Sequence, residues 1–195
     1  MKHRGFTLIE VVVALGVVTT GVIAGMTLTS YNLNISSTSE SRLVASNLAR
    51  EGIEVVRWFR DSNWLANLPW NQSIVEVGKY RLTVDFDEAN NTWATVSQIV
   101  DLDACTDCQI YLDAATGVFS HNNIGTNLTS YKRLISLKEI CWQEAVGSEA
   151  ILANGQKCSD VAAPLIGYEV SSQVSWNESG KQHLLEAVDR LYDWK

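Results

Sequence analysis

The chain opens with its most lopsided stretch: five residues, Met1 to Gly5, with three basic side chains, and then an almost purely apolar run from Phe6 to Leu28. At a rise of about 1.5 Å per residue, roughly 20 such residues in a helix cross a hydrocarbon core about 30 Å thick. From Ser36 to Arg60 there is no proline and one glycine, and Ala45, Leu48, Ala49, Gly52, Ile53, Val56 and Phe59 recur at i, i+3, i+4 and i+7. That spacing predicts an amphipathic helix continuing from the apolar one, with Glu40, Arg42, Arg50, Glu51, Glu54, Arg57 and Arg60 mostly outside the apolar stripe.

Ser62-Asn63-Trp64 and then Asn67-Leu68-Pro69 break this pattern, and the period changes to two. Lys79–Phe86 alternates polar and apolar, Glu88–Asn91 reads as a turn, and Thr92–Val96 completes a hairpin. Further strands are expected over 109–113, 118–121, 132–140 and 167–176, with 122–129 as a loop. A closing hairpin is expected to join 175–182 to 183–188. A helix followed by antiparallel strands predicts an α+β fold, one long N-terminal helix packed on an antiparallel β-sheet head. The expected division is 1–5 leader, 6–28 membrane-spanning half of the helix, 29–62 amphipathic half and 63–195 β-rich head. No internal repeat or low-complexity tract interrupts this order.

Charge and cysteine content narrow the setting. The 195 residues carry 15 Lys and Arg against 22 Asp and Glu, a net charge of −7. Without Lys2 and Arg4 the balance is 13 against 22, or −9, which repels nucleic acid, so no nucleic-acid partner is expected. The basic start should stay in the cytoplasm, placing the chain after Leu28 outside it. There the even count of four cysteines, Cys105, Cys108, Cys141 and Cys158, fits disulfides, with three pairings open and the local one, 105 with 108 and 141 with 158, preferred.

Within the apolar run Glu10 stands alone, a carboxylate one turn into a lipid-spanning helix, costly unless it finds a cationic partner. Four residues before it is Phe6, whose amine becomes such a cation if the chain is cut after Gly5.

The segment Gly5-Phe6-Thr7-Leu8-Ile9-Glu10, preceded by a short basic leader and followed by an apolar helix, resembles the processing site of type IV prepilins and of type II secretion pseudopilins. The resemblance covers the first 60 residues in layout and is most specific over residues 5–10. It implies cleavage of Gly5–Phe6 by a prepilin peptidase, N-methylation of Phe6 by the same peptidase/methyltransferase, and pairing of Glu10 with the N-terminal amine of a neighbouring subunit. An unpaired charge in low dielectric costs several kcal/mol, so such a pair fixes axial register. The implied partners are the peptidase, other pilin subunits, the pilus platform machinery and the membrane. The implied location is the inner membrane, single-pass with the head outside the cytoplasm, and then a surface or periplasmic filament. Two plainer readings compete: a secretory signal cleaved near Val22-Ile23-Ala24, against which Glu10 in mid-core argues, and a simple anchor with Glu10 incidental. Gly16, Gly21 and Gly25 favour close helix packing over the latter.

Other signals are weaker. Cys105-Thr106-Asp107-Cys108 resembles half a zinc knuckle or a redox pair, but Cys141 and Cys158 do not supply the other half, and no metal is expected. Asp101, Asp103 and Asp107 fit no calcium-loop spacing and read as a solvated acidic loop. Trp58, Trp64 and Trp70 fall where the helix should meet the head and are expected to pack there. His3, His121 and His183 are scattered and no nucleophile motif is present, so neither an enzyme nor a cofactor is expected. The size of the head, its seven tryptophans, and a loosely minor-pilin-like ending favour a minor pilin. A major pilin, a type II secretion pseudopilin and a filament-tip adhesin or binding module are the alternatives.

Overall fold

The computed structural model describes residues 5, 7–74, 80–87, 90, 92–98, 100–123 and 127–193. Leader residues 1–4, Phe6, most of the Glu88–Asn91 turn, residues 124–126 and the last two residues lie outside the described set. The chain divides into two compact units, Met1–Arg42 and Leu43–Lys195.

In the first unit the described chain after Thr7 belongs to helix α1 (Leu8–Leu65). Its apolar residues are exposed throughout, from Leu8 and Ile9 through Val17, Ile23 and Leu28 to Ile35. It is the one described helix long and apolar enough to cross a membrane. A helix this apolar all round has the length and composition of a membrane span. The hydroxyls within it are satisfied by their own helix: Thr20 donates to the Val17 carbonyl at 2.9 Å and Thr27 to that of Ile23 at 2.9 Å.

The second unit holds the rest of α1 against an antiparallel sheet of eight strands. These are β1 (Arg81–Asp87), β2 (Thr92–Gln98), β3 (Gln109–Leu112), β4 (Phe119–Ser120), β5 (Asn127–Gln143), β6 (Ser148–Ile151), β7 (Leu165–Glu178) and β8 (Lys181–Tyr192). The 17-residue β5 organises the sheet. It pairs with β7 from Tyr131–Trp176 to Cys141–Leu165, with β1 at Arg81–Ser136 and Leu82–Ile135, and with β3 and β6 towards its two ends. β7 and β8 form a hairpin around Ser179 and Gly180, with φ of 52° and 76°. Two consecutive left-handed residues are what a two-residue turn between right-twisted strands requires.

The stripe read from the sequence is the buried one: Ala45, Leu48, Ala49, Gly52, Ile53 and Val56 are buried, joined by Val55 and Arg60, while Phe59 is partly covered. Ile53, Val55 and Val56 pack with Leu82, Val84, Ile135, Leu137, Tyr168, Val170 and Leu191. Ala45, Leu48 and Ala49 pack with Ile110, Val174 and Trp176. Leu134, pointing to the opposite face by the two-residue period, is covered by Leu102, Cys105 and Cys108. Gly52 marks the closest approach of helix to sheet: a Cβ there would lie 2.6 Å from Ser172 Oγ and 3.0 Å from Ile135 Cδ1.

Several expectations are corrected. Ser62, Asn63 and Trp64 are helical, because nothing before Pro69 forbids it; Asn63 then donates to the carbonyls of Trp70 and Gln72 at 3.0 and 2.8 Å and ties down the following turn. Arg60 is 7% exposed, its guanidinium 4.7 Å over the Trp64 ring and its Nε 2.9 Å from Asp61. A cation over an aromatic face is attracted by the ring quadrupole. Of the three tryptophans, Trp70 is buried and Trp64 packs against the same cluster, whereas Trp58 is 40% exposed. β5 begins at Asn127, inside the expected loop 122–129, since pairing with β3 extends it. The stretch between Cys141 and Cys158 contains β6, paired with β5 and followed by a 3-10 helix at Cys158–Val161.

Candidate assembly site at the start of the helix

The first turn of α1 is capped by Thr7. The N–H of Glu10 points at the Thr7 carbonyl at 3.1 Å and the Thr7 hydroxyl at 3.4 Å. Thr7 with Glu10 is the Ser/Thr-x-x-Glu signature of a helix start, a signal available in the sequence and not used in the expectations above. Glu10 is the acidic residue of that first turn, where a negative charge complements the helix dipole. It is exposed and has no ion-pair partner among the described residues. Along the sequence the next charged residue is Glu40, about 45 Å further along the helix at about 1.5 Å per residue. Gly5 is exposed, outside the left-handed region, and a Cβ built on it meets nothing within 4 Å. The described structure therefore gives no internal reason for glycine at this position. Phe6, the other half of the expected scissile bond, lies outside the described residues.

The head is held by groups that hydropathy alone does not reveal. Cys105 is joined to Cys108 and Cys141 to Cys158, with Cα–Cα distances of 5.4 and 5.5 Å, and no cysteine is free. Glu139, 8% exposed on β5, accepts the Cys158 N–H at 2.6 Å and so fixes the far arm of the second disulfide. The Tyr80 hydroxyl, 3.5 Å from Glu139, has its pKa pushed up to about 12 by burial and by that carboxylate. Arg133, 1% exposed on β5, reaches the carbonyls of Leu48 and Val84 at 3.3 and 2.8 Å and the Glu51 carboxylate at 2.9 Å. One guanidinium thus ties α1, β5 and β1 together, a use of its planar fork that a lysine does not reproduce.

Asp85 on β1 accepts both the backbone N–H of His121 at 2.7 Å and its ring Nδ1 at 3.0 Å. Burial alone raises the Asp85 pKa, but the His121 hydrogen bonds and charge, with Arg133 beyond, outweigh it and leave the carboxyl below the usual range. The acids of the 101–107 loop make contacts within the chain. Asp101 meets Arg81 at 2.5 Å, Asp103 accepts from Gln182 at 3.0 Å and Asp107 accepts from Thr106 at 3.3 Å. Among the described residues no group of three or more His, Cys, Asp or Glu is placed to hold a metal ion.

A bare apolar helix with a lone acid in its first turn continues into an α+β head whose sheet it packs against, an arrangement consistent with the type IV pilin fold. Residues 1–28 match the family described as the prokaryotic N-terminal methylation motif. No curated protein and no solved structure matches the chain at a significant level. The motif supports a type IV pilin-like or pseudopilin subunit, and the apolar helix that follows it has the length and composition of a membrane anchor. The motif implies processing by a prepilin peptidase and assembly with other pilins.

Proposed function

We propose that this protein is a minor pilin of a type IV pilus-like filament, made as a prepilin with leader 1–5 and spanning the inner membrane once through residues 6–28. Its head lies outside the cytoplasm. The peptidase/methyltransferase cuts Gly5–Phe6 and methylates Phe6, and platform machinery then moves the subunit into the filament. The observation that carries this reading is the conjunction at the start of α1. Glu10 is the one charged side chain between Phe6 and Ser39, and it stands four residues from the amine that cleavage after Gly5 creates. In lipid that carboxylate is uncompensated until a neighbour's terminal amine arrives, so insertion is favoured only at the correct axial offset. The amphipathic half, expected over 29–62, then carries the head, 63–195, which two disulfides stabilise outside the reducing cytoplasm.

Gly5 supports the same reading. Among the described residues nothing crowds a Cβ at Gly5, and a peptidase cleft that admits bare backbone accounts for the glycine. The intact mass of the mature protein tests the proposal: loss of Met1–Gly5, gain of one methyl group, and loss of four hydrogens for the two disulfides. Gly5→Val should leave the leader in place. A Gly5→Val protein of mature mass would place the processing site elsewhere.

A further inference from the structure

Strand β8 is 12 residues long, about twice the usual strand, and it pairs with β7 alone. Its register is unbroken from Glu178–Lys181 to Gly167–Tyr192, so no bulge turns its far edge away. The Asp193 N–H donates to the Ile166 carbonyl at 2.9 Å. By the alternation of an antiparallel ladder, the odd-numbered residues of β8 bond to β7, and the even-numbered ones turn N–H and C=O outward. The outward N–H of Arg190 meets the Asp189 carboxylate at 2.8 Å, and the other outward groups have no partner among the described residues.

A long open edge is a template for another strand, and the side chains along this one select it. Leu185, Ala187 and Leu191 pack with the clusters beneath α1, so the even-numbered side chains face the other way. Leu184 and Val188 are 61% and 54% exposed there, alternating with exposed Glu186 and Arg190 and ending at Tyr192. This row is complementary to itself. Two copies of β8 laid antiparallel about a two-fold axis at Val188 set Glu186 opposite Arg190, Leu184 opposite Tyr192 and Val188 opposite its own copy. On the other face His183 meets Asp193, Leu185 meets Leu191, and the small Ala187 lies beside Asp189, which Arg57 already bridges. The even-numbered pairs are those with outward N–H and C=O, so ladder bonds and side-chain pairs form in one register. Neighbouring registers lose this match. A centre at Ala187 sets Arg190 against Leu184, and a centre at Asp189 brings two carboxylates together.

We infer that β8 is a homotypic docking edge, joining two heads through an antiparallel β8–β8 ladder centred on Val188. Glu186 accepts from the Ser171 hydroxyl and from Gln173 at 3.3 Å, and Arg190 Nε lies 3.5 Å from Glu169. These contacts hold both charges on the outer face, where the second strand meets them. Within the head, Ala45, Leu48 and Ala49 share a cluster with Leu185, and Ile53, Val55 and Val56 share one with Leu191, so α1 runs alongside β8 in the same direction. Paired heads therefore carry their helices antiparallel. Subunits inserted into one filament from one membrane share a direction. On the filament reading proposed above, the contact then joins two filaments lying side by side in opposite senses.

Sedimentation of the full-length protein in detergent micelles tests the pairing. Wild type is expected to form a concentration-dependent dimer. Glu186→Arg and Arg190→Glu each set like charges opposite one another twice, and each should weaken the dimer about tenfold. An equimolar mixture of the two variants should dimerise like wild type, because each then meets the opposite charge. The double variant Glu186→Arg/Arg190→Glu should do the same. Val188→Lys, which leaves the contacts of Glu186 in place, should weaken the dimer as the single charge changes do. A monomer at every concentration, a dimer indifferent to these changes, or single variants that do not recover on mixing each overturn the inference and leave the filament reading standing. A chain isolated from cells with Met1–Gly5 still attached contradicts the filament reading and leaves the pairing of heads intact.

Discussion

Arg133 shows how much one side chain can organise. At 1% exposure it satisfies two backbone carbonyls and one carboxylate drawn from α1 and β1. Removing the guanidinium leaves the Leu48 and Val84 carbonyls without this partner in a buried setting, while Glu51, with its side chain 35% exposed, can turn to water. Arg133→Met should therefore destabilise the head by about 3 kcal/mol, read as a shift in the denaturant midpoint. Arg133→Lys should fall between wild type and Met, since one ammonium cannot span three acceptors. A wild-type midpoint for the methionine variant would contradict the role assigned to this residue.

Asp85 supplies the pH dependence at the same scale. Its folded pKa lies below the ordinary value of about 3.9. A carboxyl depressed by folding contributes stability that is full above its unfolded pKa and is lost as pH falls through the folded value. Thermal unfolding between about pH 5 and pH 2 should show this acid limb, and Asp85→Asn should flatten it. At neutral pH the same change should cost about 1 kcal/mol, as one hydrogen bond to His121 loses its charge. An acid limb identical in Asp85→Asn would assign it to other carboxyls.

Elements were legible where their period was clean. The helix stripe from Ala45 to Val56, the β1–β2 hairpin and the β7–β8 hairpin all follow from spacing and turn residues. Misses came where pairing overrode pattern: β5 starts five residues early because β3 offers it a partner, and β6 forms because β5 continues past Ile140. Glu139 and Arg133 were invisible as buried groups, since their partners are distant in sequence or are backbone atoms, and the local partners of Arg60, Asp61 and Trp64, do not mark it as buried. Gly52 was legible only as a small residue in a stripe, and its reason is a distance. Gly52→Ala should cost about 1–3 kcal/mol as overpacking between helix and sheet. Ser172→Ala, which removes the nearest atom, should recover part of that loss in the double variant. Additive losses in the two changes would show that the contact does not limit the approach.

At the scale of the whole molecule, function was read from the first ten residues and the head added its supports. The processing motif and Glu10 are local in sequence, which is why they needed no fold to be seen; the partner proposed for Glu10 is the terminal amine of another subunit. The central claim is that Glu10 serves assembly and not anchoring. Replacing it by leucine makes the span more apolar, so membrane insertion should be unchanged or improved. Incorporation should fall, because the amine of the neighbouring subunit then meets no carboxylate. The decisive measurement is the ratio of this protein in sheared filaments to that in the membrane fraction, for wild type and Glu10→Leu. The account predicts equal or greater membrane content with filament content reduced about tenfold or more, the equivalent of at least about 1.4 kcal/mol of lost pairing. Equal incorporation of the two proteins would contradict it.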